Sequence, residues 1–218
     1  MSDSKPSTTQ SEKETTRIEA FSDGVFAIAI TLLILELINF LHSQNEDGLL
    51  KLLTNHWESY LAFVIGFLTI LVCWINHHLI FTYIKKTDSR LLWVNGFVLL
   101  VVTFTPFPTA VLAMYFVKEP NLALGIFGIN YFLMSVAAYN ITAYTYNKFL
   151  IDEASRELYH RFKLLYGWVS IYTFILMFLC FVAAVPAMIL YCVMFAAMAF
   201  PKESSQFLFR KKTKRKTE

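Results

Sequence analysis

The sequence predicts an all-α, polytopic membrane protein with six transmembrane helices. Three observations carry that reading. The 218 residues are 56% hydrophobic, with a mean hydropathy of +0.51. Charged residues make up only 16%, where a soluble domain carries about a quarter. The apolar residues also gather into runs long enough to cross a hydrocarbon core of about 30 Å. Polar sequence is left mainly at the ends. Residues 1–16 read as a polar N-terminal tail, 17–201 as the six-helix membrane unit, and 202–218 as a basic tail. The leading MSDSKPSTTQSEKETT has neither the apolar stretch nor the small-residue cleavage site of a signal peptide.

The six helices are expected at 18–41, 57–84, 89–117, 121–147, 163–183 and 186–201. The last two come from a single apolar block, GWVSIYTFILMFLCFVAAVPAMILYCVMFAAMAF. Pro186 divides it, because proline lacks an N–H and is tolerated best at a helix start. The distribution of basic residues tests the count. With six spans, both tails and the second and fourth loops share one side, and that side receives all 19 basic residues except Lys51 and Lys118. Merging the last two spans would put RKKTKRK on the opposite side. Both termini are therefore expected in the cytoplasm of a multi-pass protein of the cell (plasma or inner) membrane. RKKTKRK suits anionic lipid, although setting topology alone explains it. No folded companion accompanies the run, so nucleic acid is not expected as a partner.

Cys73, Cys180 and Cys192 all sit in apolar runs without CxxC spacing. They read as small buried hydrophobes rather than ligands or disulfides. No pattern calls for a cofactor.

The first span, RIEAFSDGVFAIAITLLILEL, holds the informative polar groups. At 3.6 residues per turn Phe21, Ile28, Leu32 and Leu35 form one stripe, with Thr31 at its edge. Ala20, Gly24 and Ala27 make a flank of small residues, which lets membrane helices approach closely. The stripe suits lipid, a neighbouring helix or a pore. Asp23 points away from it. A bare carboxylate one turn into a span costs several kcal/mol, so Asp23 needs a partner. The second span supplies Trp74, Asn76, His77 and His78 at a similar depth. Such a cluster is either a polar clamp between helices or a proton relay, and the histidines allow a response to pH. Arg17 is placed to snorkel or pair at the interface. Glu36 lies near the outer end, as a pore-mouth charge or an interfacial one. An enzyme is not expected, because Asp23 and His77 lack a third converging group.

Arg17, Phe21, Ser22, Asp23 and Thr31 follow R-x-x-x-F-S-D-x-x-x-x-x-x-x-T. This resembles the signature of the transmembrane protein 175 family of potassium channels, and Trp74, Asn76 and His77 are similar to that family's second helix. The resemblance implies a single six-helix unit of the prokaryotic kind that assembles as a homotetramer in the lipid bilayer. The pore would be lined by the first helix of each subunit. Ile28 would form the hydrophobic gate, extended outward by Leu32 and Leu35. Thr31 would supply a hydroxyl ring that contacts K⁺, and the Phe21-Ser22-Asp23 motif would hold the helix through polar contacts. With no TVGYG-like filter in the sequence, four hydroxyls would give only modest K⁺ selectivity over Na⁺. A proton-coupled transporter using Asp23 and His77 is the competing expectation.

Overall fold

The computed structural model describes residues 7–39, 41, 48–148, 151 and 153–208, with the side chains of 7–14, 36 and 39 excepted. The Glu36 side chain and the RKKTKRK run lie outside the described residues. Nine helices follow in order among the described residues: α1 Ser7–Asn39, α2 Leu49–Asn55, α3 Trp57–Thr82, α4 Ser89–Phe104, α5 Pro106–Tyr115, α6 Pro120–Asn147, α7 Arg156–Val182, α8 Ala184–Ala199 and α9 Pro201–Leu208. Helix is the expected outcome in hydrocarbon, because it satisfies each backbone N–H and C=O within its own segment.

Four of the expected spans appear with modest boundary shifts. Helix α1 begins at Ser7, within the segment read as a tail, and its apolar part runs Thr15–Leu35. Helix α3 matches the second span. The third span bends at Pro106, dividing Ser89–Tyr115 into α4 and α5. Thr105 repairs the bend. Its hydroxyl donates to the Val101 carbonyl at 3.2 Å and accepts from Asn130 Nδ2 at 3.0 Å. Helix α6 matches the fourth span, and α7 starts seven residues before the expected fifth. Helix α2 was not expected. Gly48 starts it at φ 100°, a conformation that glycine adopts freely, and its Leu49 and Leu50 are exposed.

The sixth span takes a different form. Among the described residues five segments are long and apolar enough to cross a membrane alone, and α8 reaches that standard only together with α9, across a 100° bend. At 16 residues, α8 is about 24 Å long. Its ends are nonetheless well placed. The Ala184 N–H donates to Asn121 Oδ1 at the start of α6, and the Met198 carbonyl accepts from Asn76 in the last third of α3. Helix α8 therefore covers most of the crossing, and the chain then turns at Phe200 and Pro201. The break from α7 falls at Ala183 rather than at Pro186, which sits in the first turn of α8, where its missing N–H leaves no gap.

The core lies between α3, α4, α6 and α7, with α1, α5 and α8 around it. Gly66 sets the approach of α3 to α1 and α5. A Cβ there would meet the Thr109 side chain at 2.8 Å and Leu33 at 3.2 Å. At the basic end, Ile84 and Ile151 form an isolated antiparallel bridge that ties the α3–α4 loop to the α6–α7 loop. Of the cysteines, Cys180 is buried, Cys73 is half-buried and Cys192 is exposed on α8. The burial expected for all three therefore holds only for Cys180. An apolar run in a helix need not be enclosed on every side, and Cys192 lies on a face of α8 that the neighbouring helices leave open.

Candidate functional site: the two faces of α1

Helix α1 turns one face inward and leaves the other uncovered. Ile18, Ser22, Phe26, Ala29 and Leu33 recur every three or four residues and are buried. Phe21 (68% exposed), Ile28 (61%), Leu32 (39%) and Leu35 (53%) form the opposite stripe. Thr31, Ala20, Gly24 and Ala27 are exposed beside it.

The inner face is held by directional bonds. Ser22 Oγ donates to the Ile18 carbonyl at 2.8 Å and accepts from Asn95 Nδ2 at 2.9 Å. Asn95 Oδ1 faces His77 Nε2 at 2.8 Å. Because the Asn95 amide nitrogen is the donor to Ser22, its oxygen is the acceptor, and His77 Nε2 carries the proton. The imidazole is packed between Phe26 and Phe81, with ring centroids 5.3 and 4.4 Å away. Its Nδ1 is buried without a partner. Trp74 Nε1 donates to Asp23 Oδ1 at 2.8 Å. One turn below, Glu19 Oε1 lies 3.1 Å from His78 Nδ1, and His78 stacks on Trp74.

The structure thus brings Ser22, Asp23, Trp74 and His77 to one seam. Asp23 and His77 bond to different partners. Asn76 does not join the seam. Its amide donates to the Val72 and Met198 carbonyls, and its oxygen accepts from the Tyr166 hydroxyl at 2.6 Å. The expectation that it supports the α1 motif is corrected for a geometric reason. Two residues beyond Trp74 are about 200° around the helix, on the face toward α7 and α8. Asn95 was missed. The signal was present, since a lone amide inside the apolar RLLWVNGFVLL needs a partner as much as Asp23 does.

On the outer face, Thr31 Oγ1 donates to the Ile28 carbonyl at 2.9 Å. With its proton turned back to the helix, the exposed hydroxyl presents oxygen lone pairs outward, the polarity a cation requires. Arg17 lines a crevice of about 770 Å³ between α1 and α4, together with Phe21, Asp88 and Asn95. Asp88 caps α4 by accepting from the Leu91 N–H at 2.8 Å, and it also accepts from the Tyr144 hydroxyl. Desolvation alone would raise its carboxyl. The two hydrogen bonds and the charges of Lys148 and Arg90 outweigh that and hold it below the usual carboxylate range. Among the described residues no group of three His, Cys, Asp or Glu side chains is arranged to hold a metal ion.

A bundle of this kind, with one apolar helix face uncovered and a polar seam fixing its other face, defines a polytopic helical membrane protein. Residues 17–106 match the family model described as endosomal/lysosomal potassium channel TMEM175. A potassium channel of Chamaesiphon minutus is 44% identical over 151 residues, covering 67% of this chain and 74% of that protein. One from Streptomyces collinus is 43% identical over 126 residues, covering 57% and 61%. Zebrafish TMEM175, named an endosomal/lysosomal proton channel, is 34% identical over 97 residues, 41% of this chain and 19% of that one. The crystal structure of a lysosomal potassium-selective channel TMEM175 homolog from Chamaesiphon minutus superposes with a TM-score of 0.74 at 32% identity, over 87% of this chain and 98% of that one. The chain belongs to the TMEM175 family.

Proposed function

We propose that the chain is a passive K⁺ channel with modest selectivity over Na⁺, its pore built from the outer face of α1. The uncovered face of α1 carries this reading. Of the five long spans, α1 is the least enclosed, with 22% of its apolar window buried against 33–50% for the others. Its open side holds Ile28, Leu32 and Leu35 in line with an outward hydroxyl at Thr31. One helix cannot enclose a channel, so several copies of α1 must gather around an axis, and four copies is what the family resemblance implies. Rings of Ile28, Leu32 and Leu35 close the path by packing and dewetting. Thr31 oxygens contact K⁺. The signature residues Arg17, Phe21, Ser22 and Asp23 orient the helix, with Trp74, His77 and Asn95 as the polar support behind it. The names of the two bacterial relatives support K⁺ as the ion. The basic residues crowded at one end of the bundle support a cell-membrane protein with both termini in the cytoplasm.

The test is K⁺ flux into proteoliposomes with Na⁺ as competitor, on wild type and Thr31→Ala together. Passive K⁺ flux is expected in both, with the K⁺ preference reduced in the variant. An unchanged preference would remove Thr31 from the ion path. Uptake that occurs only with a proton gradient would replace the channel by a transporter centred on Asp23 and His77.

A further inference from the structure

His77 joins the α1 seam through Nε2 alone. The Phe26 and Phe81 rings pack against its faces, and Nε2 is engaged by Asn95. The side chain is 3% exposed. Its Nδ1 is a buried acceptor with no partner among the described residues. His77 also lines a cavity of about 70 Å³ between α3, α6 and α7, to which no described residue of α1 contributes. With the ring faces and Nε2 taken, Nδ1 is the polar atom that His77 has left to offer the cavity. A buried water needs about 10–15 Å³ of room and about two to four polar partners. The cavity meets both conditions. Asn76 and Tyr166 stand in its wall. The Tyr166 hydroxyl donates to Asn76 Oδ1 at 2.6 Å, and each oxygen keeps a lone pair beyond that bond. Cys73 and Tyr131 add a thiol and a hydroxyl that can donate.

We infer that this cavity is a site for ordered water, with one molecule donating to His77 Nδ1 and bridging it to polar groups of α3, α6 and α7. The second proton of that water goes to the Asn76 or Tyr166 oxygen, and its own oxygen accepts from Tyr131 or Cys73. Apolar cavities stay dry, because nothing in them replaces the bonds that a water gives up. Here an orphaned acceptor replaces one. The water also fixes the tautomer. An imidazole that accepts at Nδ1 keeps its proton on Nε2, where Asn95 Oδ1 needs it, and Asn95 in turn donates to Ser22. Water inside the bundle thus helps to hold α1 from behind. The site stands apart from the outer face of α1 and does not depend on how ions cross.

The test is solid-state NMR of the full-length protein in lipid bilayers, with ¹⁵N-labelled histidine and His77→Gln to assign the His77 signals. The expected result is a protonated Nε2, an unprotonated Nδ1, and polarisation transfer from water protons to Nδ1. Ala138 also lines the cavity, and the added carbons of Ala138→Leu should occupy it. In that variant transfer to Nδ1 should be lost while the proton stays on Nε2. No transfer in wild type, a proton on Nδ1, or undiminished transfer in folded Ala138→Leu would each overturn the inference. A second measurement needs no cavity-filling variant. A density map of the wild-type protein, at a resolution that shows buried waters elsewhere, should hold a peak within hydrogen-bond distance of His77 Nδ1. A map without that peak would equally overturn it.

Discussion

The seam of α1 with α3 and α4 and the seam of α6 with α7 hold helices together in different ways. Along α1 the contact is smaller, and five side chains make three hydrogen bonds across helices, Ser22 with Asn95, Asn95 with His77, and Asp23 with Trp74. Between α6 and α7 the contact is the most extensive in the molecule. Its hydroxyls mostly bond within their own helix. Ser135 and Thr173 meet at 2.8 Å, where one hydroxyl donates and the other accepts, and the accepting one turns its proton to a carbonyl of its own helix, Phe132 for Ser135 or Val169 for Thr173. Lipid is as apolar as leucine, so membrane helices associate through packing and polar bonds rather than through exclusion of water. A helix with one face uncovered has less packing to draw on. Directional bonds then carry more of its attachment and also fix its rotation. Rotation matters here, because turning α1 by one residue would move Ile28 off the outer face.

Asn95→Leu tests that contrast most severely. It strands the His77 N–H and removes the donor to Ser22, both buried, at about 2–3 kcal/mol. The expected result is a clear fall in the thermal midpoint of the detergent-solubilised protein, followed by size exclusion. Gly66→Ala should come next. The added methyl would meet Thr109, whose hydroxyl is tied to the Thr105 carbonyl at 2.9 Å and cannot swing away freely. Overpacking of this kind costs about 1–3 kcal/mol, read in the same melt. Ser135→Ala should cost about 0.6 kcal/mol, because Thr173 still has the Val169 carbonyl of its own helix to donate to. If Ser135→Ala proved as damaging as Asn95→Leu, the distinction between the seams would fail.

The smallest effect is expected at Asp88. Its folded carboxyl titrates below its ordinary value of 3.8. The stability it lends is therefore complete above that value and fades as pH falls through the lower folded one. Asp88→Asn preserves a good helix cap and should flatten that acid loss. Melting curves of both proteins across acidic pH check it, and parallel pH dependence would assign the loss to another carboxylate.

Much of the candidate site's geometry was legible because hydrocarbon makes polar residues conspicuous. Ser22, Asp23, Trp74 and His77 stood out in apolar runs and do meet. The outer stripe of Phe21, Ile28, Leu32 and Leu35 followed from helical period alone and is uncovered as a unit. Asn76 was misplaced because matching depth was used without matching angle around α3. Asn95 was passed over because it lies outside the signature, although the same physical argument applied to it. The bend after α8 was invisible because length and hydropathy describe how much apolar chain exists, not where its axis points.

The sequence by itself determined the membrane class, where the long apolar segments lie along the chain, and the two faces of α1. Each follows from a local rule, namely helical period, span length or the cost of a polar group in lipid. Tertiary structure decided which polar groups are partners, since a hydrogen bond needs distance and direction as well as depth. It also decided that α8 stops short and hands over to α9. Asn76 at one end and Asn121 at the other fasten α8 between neighbouring helices, and no window of its own residues records where those anchors lie.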